Sequence, residues 1–168
     1  HFDNNYELEM ALRSSGKSKE ADMIKRILPE NVQCIFVRQS EPLGLGHAIL
    51  CAERAVGGEP FAILLADDFI IPKDNSISAD LIKNFQQTGK SQLSFMEVNG
   101  PNISNYGVLI LGNKGDVLGL VEKPQEHLAP SNLASIGRYV MTSDIFEILK
   151  KQKPGSGGEI QLADAINE

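Results

Sequence analysis

The chain of 168 residues contains no tryptophan, two cysteines and three histidines. Two cysteines without a Cys-x-x-Cys spacing make neither a disulfide framework nor a zinc site. Cys34 and Cys51 each stand in an apolar run, so both are expected to be buried free thiols, in keeping with a reducing cytoplasm. His1, His47 and His127 are too scattered to suggest a metal-binding cluster, and no Ser-His-Asp or Cys-His set stands out. A basic excess is also missing. The formal net charge is −6, which gives no electrostatic footprint for nucleic acid, although a local basic site can still hold a phosphate. No apolar run approaches the ~20 residues that a membrane-crossing helix needs. Internal repeats, low-complexity tracts and a linker are absent too, so residues 1–168 are expected to form a single domain, or part of one.

What remains is an ordinary globular composition, 42% hydrophobic and 23% charged, which excludes disorder and collagen-like structure. Residues 5–28 read as helical with a break near Ser14-Ser15-Gly16, and Leu8, Leu12, Met23 and Ile27 mark the expected buried face. The run 33–38 is β-rich and predicts a strand. Gly44 to Val56 returns to helical spacing. Phe61 to Ala66 is continuously apolar, which predicts a strand covered on both faces. Ser78 to Gln87 reads as a helix and Gln92 to Val98 as a strand. Gly107 to Leu111 and Val117 to Val121 flank a hairpin turn, and Ile136 to Met141 reads as a further strand. A helix over Ile145 to Lys150 is expected, capped by Thr142 or Ser143, and Glu159 is expected to open a last one. Strands alternating with helices over 33–98 imply an α/β domain with a parallel sheet, to which the hairpin region adds a mixed or antiparallel part.

Four stretches carry polar chemistry. Gln39-Ser40-Glu41-Pro42-Leu43-Gly44-Leu45-Gly46-His47-Ala48 joins an expected strand to a helix. Its glycines allow close approach of a ligand, and a glutamine that both donates and accepts suits the imide edge of a pyrimidine. It lacks the third glycine of a dinucleotide fingerprint and the Gly-Lys-Ser/Thr of a P-loop, so alone it is a weak signal that a tight strand-to-helix turn explains better. A lone histidine such as His47 on a helix's first turn is more often structural than catalytic. Leu65-Ala66-Asp67-Asp68 puts two carboxylates at the end of an apolar strand, where open α/β sheets bind ligands and where carboxylates suit Mg²⁺. Asn105-Tyr106-Gly107, followed by Val121-Glu122-Lys123-Pro124, could hold sugar hydroxyls and neutralise a phosphate, or could be an exposed charged pair at a strand end. Ser131 to Tyr139 and Gly158-Glu159-Ile160-Gln161 read by spacing as a polar turn and a helix start.

Taken together and in order, these stretches resemble the bacterial UTP–glucose-1-phosphate uridylyltransferase family of sugar nucleotidyltransferases. The resemblance rests on His1-Phe2-Asp3 with Tyr6-Glu7-Leu8-Glu9, Arg38-Gln39, Gly44-Leu45-Gly46-His47-Ala48 and Leu65-Ala66-Asp67-Asp68. It continues through Tyr106-Gly107-Val108, Glu122-Lys123-Pro124, Ala129-Pro130-Ser131-Asn132-Leu133-Ala134, Gly137-Arg138-Tyr139 and Glu159-Ile160-Gln161-Leu162. It implies a Rossmann-like nucleotidyltransferase fold with a mixed, mostly parallel sheet flanked by helices, incomplete here. It implies nucleotide contacts from Gln39, Gly44, Asp67 and Asp68, with Asp67 as the Mg²⁺ ligand. It implies sugar contacts from Tyr106, Gly107, Glu122, Lys123, Gly137 and Glu159. Asp67 and Lys123 would be the catalytic groups, with UTP, glucose 1-phosphate and UDP-glucose as ligands, in a cytoplasmic homo-oligomer. Relatives that use dTTP or another sugar 1-phosphate, and a non-catalytic nucleotide-sugar-binding domain, remain open alternatives.

The family's N-terminal strand and Gly-x-Gly-Thr-Arg loop, its Pro-Lys segment and a later Asp-x-Gly aspartate have no counterpart in these residues. The chain starts at His1 without methionine and ends inside an expected helix, so an internal fragment is expected. The 168 residues alone are therefore expected to be inactive or nearly so. A coupled pyrophosphate-release assay on the isolated chain, with UTP and glucose 1-phosphate, checks this: turnover close to that of a full-length enzyme would defeat the expectation.

Overall fold

The computed structural model describes residues 5–71, 76–113 and 115–168. The His1-Phe2-Asp3 stretch and Lys114 of the predicted hairpin turn lie outside the described residues. The chain divides into two compact units, His1–Arg38 and Gln39–Glu168.

In the first unit, α1 (Tyr6–Ser14) and α2 (Ser18–Lys25) are separated where the sequence predicts the break. Asn5 caps α1, its Oδ1 accepting from the Leu8 N–H at 3.0 Å. Arg13 ties the two helices together by donating to Glu9 and Asp22, each at 2.9 Å. The expected apolar face is not buried. Leu8, Met23 and Ile27 are exposed, and among the described residues of this unit Ala21 is the buried one. A helical period marks a face without saying what lies upon it. The expected strand over 33–38 is absent too. Those residues make no ladder with any described residue, and Ile35 and Phe36 are 73% and 67% exposed. A strand exists only with a partner. Cys34, expected to be buried, is exposed with them, and Cys51 is only partly buried; both are free thiols.

The second unit opens with α3 (Leu45–Cys51) and α4 (Glu53–Val56). It continues through β1 (Phe61–Leu64), α5 (Ile77–Thr88), β2 (Gln92–Glu97), β3 (Gly107–Leu111), β4 (Val117–Glu122) and β5 (Leu133–Met141). It closes with α6 (Asp144–Lys151) and α7 (Leu162–Ile166), so the last helix starts three residues after Glu159. The architecture is a sheet with helices, as expected of an α/β nucleotidyltransferase, but every described strand pairing is antiparallel, not mostly parallel. The reason is the nine-residue β5, the hub of the sheet. Val140 pairs with both Ala62 of β1 and Gln92 of β2, so these strands flank β5 on opposite edges. They run the same way, as a βαβ pattern demands, with β5 inserted antiparallel between them. Val108 of β3 meets Ala134 on the edge of β5 that β1 also uses, and β4 completes the hairpin.

Burial follows the same plan. Ile49 of α3, Ile63 of β1, Tyr139 and Met141 of β5, Ile145, Phe146 and Leu149 of α6, and Leu162 and Ala165 of α7 form the main core. Phe61 stacks on Phe146 with ring centroids 5.0 Å apart. Helix α6 earns its place by spacing: Ile145, Phe146 and Leu149 lie on one face, with acids in its first turn and lysines in its last. Ser143 occupies the N-cap position but makes no side-chain cap bond. Strand β1 is not covered on both faces, because Ala62 and Leu64 are exposed. The outer edge of β4 is satisfied by a side chain. Asn167 accepts from the Leu120 N–H at 2.6 Å and donates to its carbonyl at 2.9 Å, completing one rung in place of a strand.

Leu149 is 1% exposed, at the centre of the core. Leu149→Ala should lower the unfolding free energy by about 2–5 kcal/mol. Met23→Ala, at a residue 72% exposed, should leave it within about 0.5 kcal/mol. Urea unfolding followed by circular dichroism measures both.

Candidate functional site

Strand β1 ends at Leu64, and the chain turns through Leu65-Ala66-Asp67-Asp68 directly against β5. The approach is close because Gly137 has no side chain. A Cβ there would lie 2.5 Å from the Leu65 Cβ and 2.6 Å from the Asp68 Oδ2. Three sets of hydrogen bonds fix the turn. Leu65 N–H donates to the Gly137 carbonyl at 2.9 Å, and Gly137 N–H donates to the Asp68 carboxylate at 2.5 Å. Arg138 donates to the carbonyls of Leu65 at 3.0 Å, Asp68 at 2.8 Å and Gly137 at 2.7 Å. The two adjacent carboxylates thus have different work. Asp68 is held by the backbone of β5, whereas Asp67 is exposed and meets no donor among the described residues.

Beside this turn lies a cavity of about 290 Å³, near the lower bound for small-molecule sites. Asp67, Asp68, Tyr106, Gly107, Glu122, Lys123 and Gly137 all line it. These seven come from four separate stretches of the chain, brought together by the β3–β4 hairpin and by β5. Gly107 pairs with Glu122 across the hairpin, and a Cβ at Gly107 would stand 3.2 Å from a Glu122 carboxylate oxygen. Lys123 follows with a left-handed backbone, φ 45°, its N–H donating to the Tyr106 carbonyl at 3.0 Å. A non-glycine residue held there stores strain of a kind that clusters at ligand sites. Its Nζ is 4.0 Å from Glu122, which leaves both charges available to a ligand.

The remaining expected residues do not line the cavity. Gly44, φ 98°, packs against the 159–160 backbone, where a Cβ would be 2.8 Å from the Ile160 carbonyl oxygen and 2.9 Å from the Glu159 Cβ. The Leu43 carbonyl accepts from Ile160 N–H, and Gly46 N–H donates to the Ile160 carbonyl, each at 2.8 Å. The Glu159 carboxylate accepts from Gln161 at 2.7 Å. Gln39 donates through Nε2 to the Gly44 carbonyl at 3.1 Å and lies 3.0 Å from His47 Nδ1.

Asn105, of the same stretch as Tyr106, also lines the cavity, with three polar residues that had no expected role: Ser135, Tyr139 and Gln161. Strand alternation could have found two of them, since Ser135 and Tyr139 share the face of Gly137 on β5. The Tyr139 ring belongs to the main core, and its hydroxyl meets the Ser135 hydroxyl at 3.1 Å. Burial raises the phenol's pKa above its ordinary value; the Ser135 hydrogen bond lowers it, and the nearby Asp68 and Glu122 carboxylates raise it further. The hydroxyl therefore keeps its proton across the neutral range.

A sequence profile of the nucleotidyl transferase family matches residues 4–168. The chain belongs to that family. It is 46% identical over 170 residues to a UTP–glucose-1-phosphate uridylyltransferase 2 from Staphylococcus saprophyticus, the match covering 99% of this chain and 58% of that protein. It is 42% identical to a protein of the same name from Streptococcus pyogenes serotype M1, with the same coverage. Among solved structures it resembles a UTP-bound UGPase from Acinetobacter baumannii, with TM-score 0.84 and 36% identity, over 99% of this chain and 59% of that one. It also resembles a UDP-glucose pyrophosphorylase complexed with UDP-glucose, with TM-score 0.79 and 40% identity, over 99% of this chain and 61% of that one. The chain thus spans about three fifths of the length of these relatives. Among the described residues no helix is long and apolar enough to cross a membrane, and no group of three or more His, Cys, Asp or Glu is placed to hold a metal ion.

The raised phenol pKa of Tyr139 has a consequence for stability. Above the unfolded-state value near pH ~10 the unfolded chain loses the proton first, so stability falls as pH rises from there through the folded value. Tyr139→Phe should remove that part of the alkaline decline while keeping the ring in the core. Urea midpoints at pH 9 and pH 11, compared between the two proteins, measure the difference.

Proposed function

We propose that this nucleotidyl transferase chain carries the base-reading turn, one metal carboxylate and the sugar pocket of a UTP–glucose-1-phosphate uridylyltransferase, as part of a single domain. The observation that carries the reading is the convergence of Asp67, Tyr106, Gly107, Glu122, Lys123 and Gly137 on one cavity. The names of the relatives support the substrate pair.

In the reaction, a phosphate oxygen of glucose 1-phosphate attacks the α-phosphorus of UTP in line. The new P–O bond forms as the bond to the β-phosphate bridging oxygen breaks, and pyrophosphate leaves with that electron pair. No protein nucleophile is required, so positioning and neutralisation of charge are the protein's work. Glu122 accepts hydrogen bonds from sugar hydroxyls beside the bare backbone of Gly107. Lys123 neutralises the sugar phosphate. Gly137 lets the Leu65–Asp68 turn close against β5 at the floor of the pocket, and Tyr139 and Ser135 offer neutral hydroxyls there. Gln39 and Gly44 read the base from the turn before α3, with Asp68 keeping the neighbouring turn in register and Glu159 completing the sugar side.

The donor chemistry fits a hard divalent ion such as Mg²⁺. Asp67 offers an exposed carboxylate that meets no donor among the described residues, and Mg²⁺ takes one or two protein carboxylates and draws its other ligands from water and substrate phosphates. When bound it would offset charge on the α-phosphate. The cytoplasm as the compartment and a homo-oligomer as the assembly follow from the family resemblance.

Calorimetric titration of the chain with UDP-glucose and with UDP tests the reading. Glu122→Gln should weaken UDP-glucose by roughly tenfold or more, as expected for hydrogen bonds to a charged group, and leave UDP unchanged. Equal UDP-glucose affinity in both proteins would overturn the sugar assignment.

A further inference from the structure

We propose that His47 fixes the orientation of the Gln39 amide and so selects nucleotides whose base donates a hydrogen bond at N3 over those whose base accepts one there. The proposal rests on the reading of Gln39 as the base reader and adds a residue to that role.

The argument starts from a backbone carbonyl. An oxygen of this kind only accepts, so the end of the Gln39 side chain that meets the Gly44 carbonyl at 3.1 Å is the NH₂. The same nitrogen stands 3.0 Å from His47 Nδ1. Its second hydrogen points there, and Nδ1 is therefore the unprotonated, accepting nitrogen of a neutral imidazole. The ring proton then sits on Nε2, which faces the Cys51 Sγ at 4.0 Å, one helical turn along α3. Both N–H bonds of the amide are engaged. Its oxygen meets no donor among the described residues.

A free primary amide is ambiguous, because half a turn about its last bond exchanges donor and acceptor. The Cys51–His47–Gln39–Gly44 chain removes the ambiguity. It leaves Gln39 with an acceptor alone to show a ligand. Uracil has one donor on its imide edge, N3–H, so an acceptor-only glutamine reads that position. Cytosine carries a lone pair at N3 and meets the Gln39 oxygen with repulsion. Thymine has the same N3–H as uracil and is not rejected. The turn that holds this set is itself pinned, by the two backbone bonds to Ile160 and by the close packing of Gly44.

The test compares UDP-glucose with CDP-glucose, which differ only in the base, by calorimetric titration of the chain and two variants. The wild-type chain should favour UDP-glucose. His47→Leu removes the acceptor and should shrink the UDP/CDP ratio by about tenfold, the worth of one directed hydrogen bond. His47→Asn, whose Oδ1 can take the place of Nδ1, should retain the ratio, a rescue that loss of packing alone would not show. Independently of any ligand, ¹⁵N NMR should find His47 neutral with its proton on Nε2. A proton on Nδ1, or an unchanged ratio in His47→Leu, overturns the role of His47 and leaves the uridine reading standing. Equal affinities in the wild-type chain, or no binding of either nucleotide sugar, overturn the base-reading role of Gln39 and this proposal with it.

Discussion

A missing side chain decides how close β5 can come to the turn after β1. At Gly137 the turn lies where a Cβ would overlap Leu65 and the Asp68 carboxylate. Because nothing stands in the way, the Leu65–Gly137 backbone bond forms, the Gly137 N–H reaches Asp68, and Arg138 closes over three carbonyls. The position of Asp67 at the cavity edge follows from these bonds. So does the lower wall of the cavity, since Ser135 and Tyr139 are the residues two places either side of Gly137 on the same face.

The hub strand also explains why one sheet serves two tasks. Its C-terminal half pairs with β1 and packs against the helices of the core, while its N-terminal half meets β3 and so places the β3–β4 hairpin. The first task brings Asp67 and Asp68, and the second brings Tyr106, Gly107, Glu122 and Lys123. Strands from distant parts of the chain converge because they share one edge of β5, with β2 satisfying the other. Tyr139 sits where the tasks join, its ring in the core and its hydroxyl in the cavity.

Most elements were legible from local pattern: the helix break at 14–16, the 107–121 hairpin, the strand at 92 and the helix at 145 depend on turn residues and periodicity close in sequence. Pairing direction was not. Alternating strands and helices predict that β1 and β2 run the same way, which they do, but nothing local says that a later strand enters between them. Coverage was equally hidden. Leu64, Ile35, Phe36 and Met23 look buried from their neighbours in sequence, yet burial depends on what packs against them in space. Of the expected site, seven residues were gathered by the fold into one cavity, because their motifs end strands that β5 assembles. Gln39, Gly44 and Glu159 were not, and the motif containing Gly44 and Gly46 is explained locally by its docking on Ile160.

The contrast between Asp67 and Asp68 shows why residue type alone assigns a role poorly. Both are carboxylates on one short turn, and sequence treats them as a pair. The backbone of β5 turns one into a structural acceptor, while the other meets no donor among the described residues. Gln39 follows the same logic in reverse: a side chain able to do two things is reduced to one by neighbours that take its donors. In the proposed transfer, which needs no protein nucleophile, such restriction of otherwise versatile groups would supply positioning and selectivity. The residues doing the restricting, Gly137, Arg138 and His47, then matter as much as those facing the ligand.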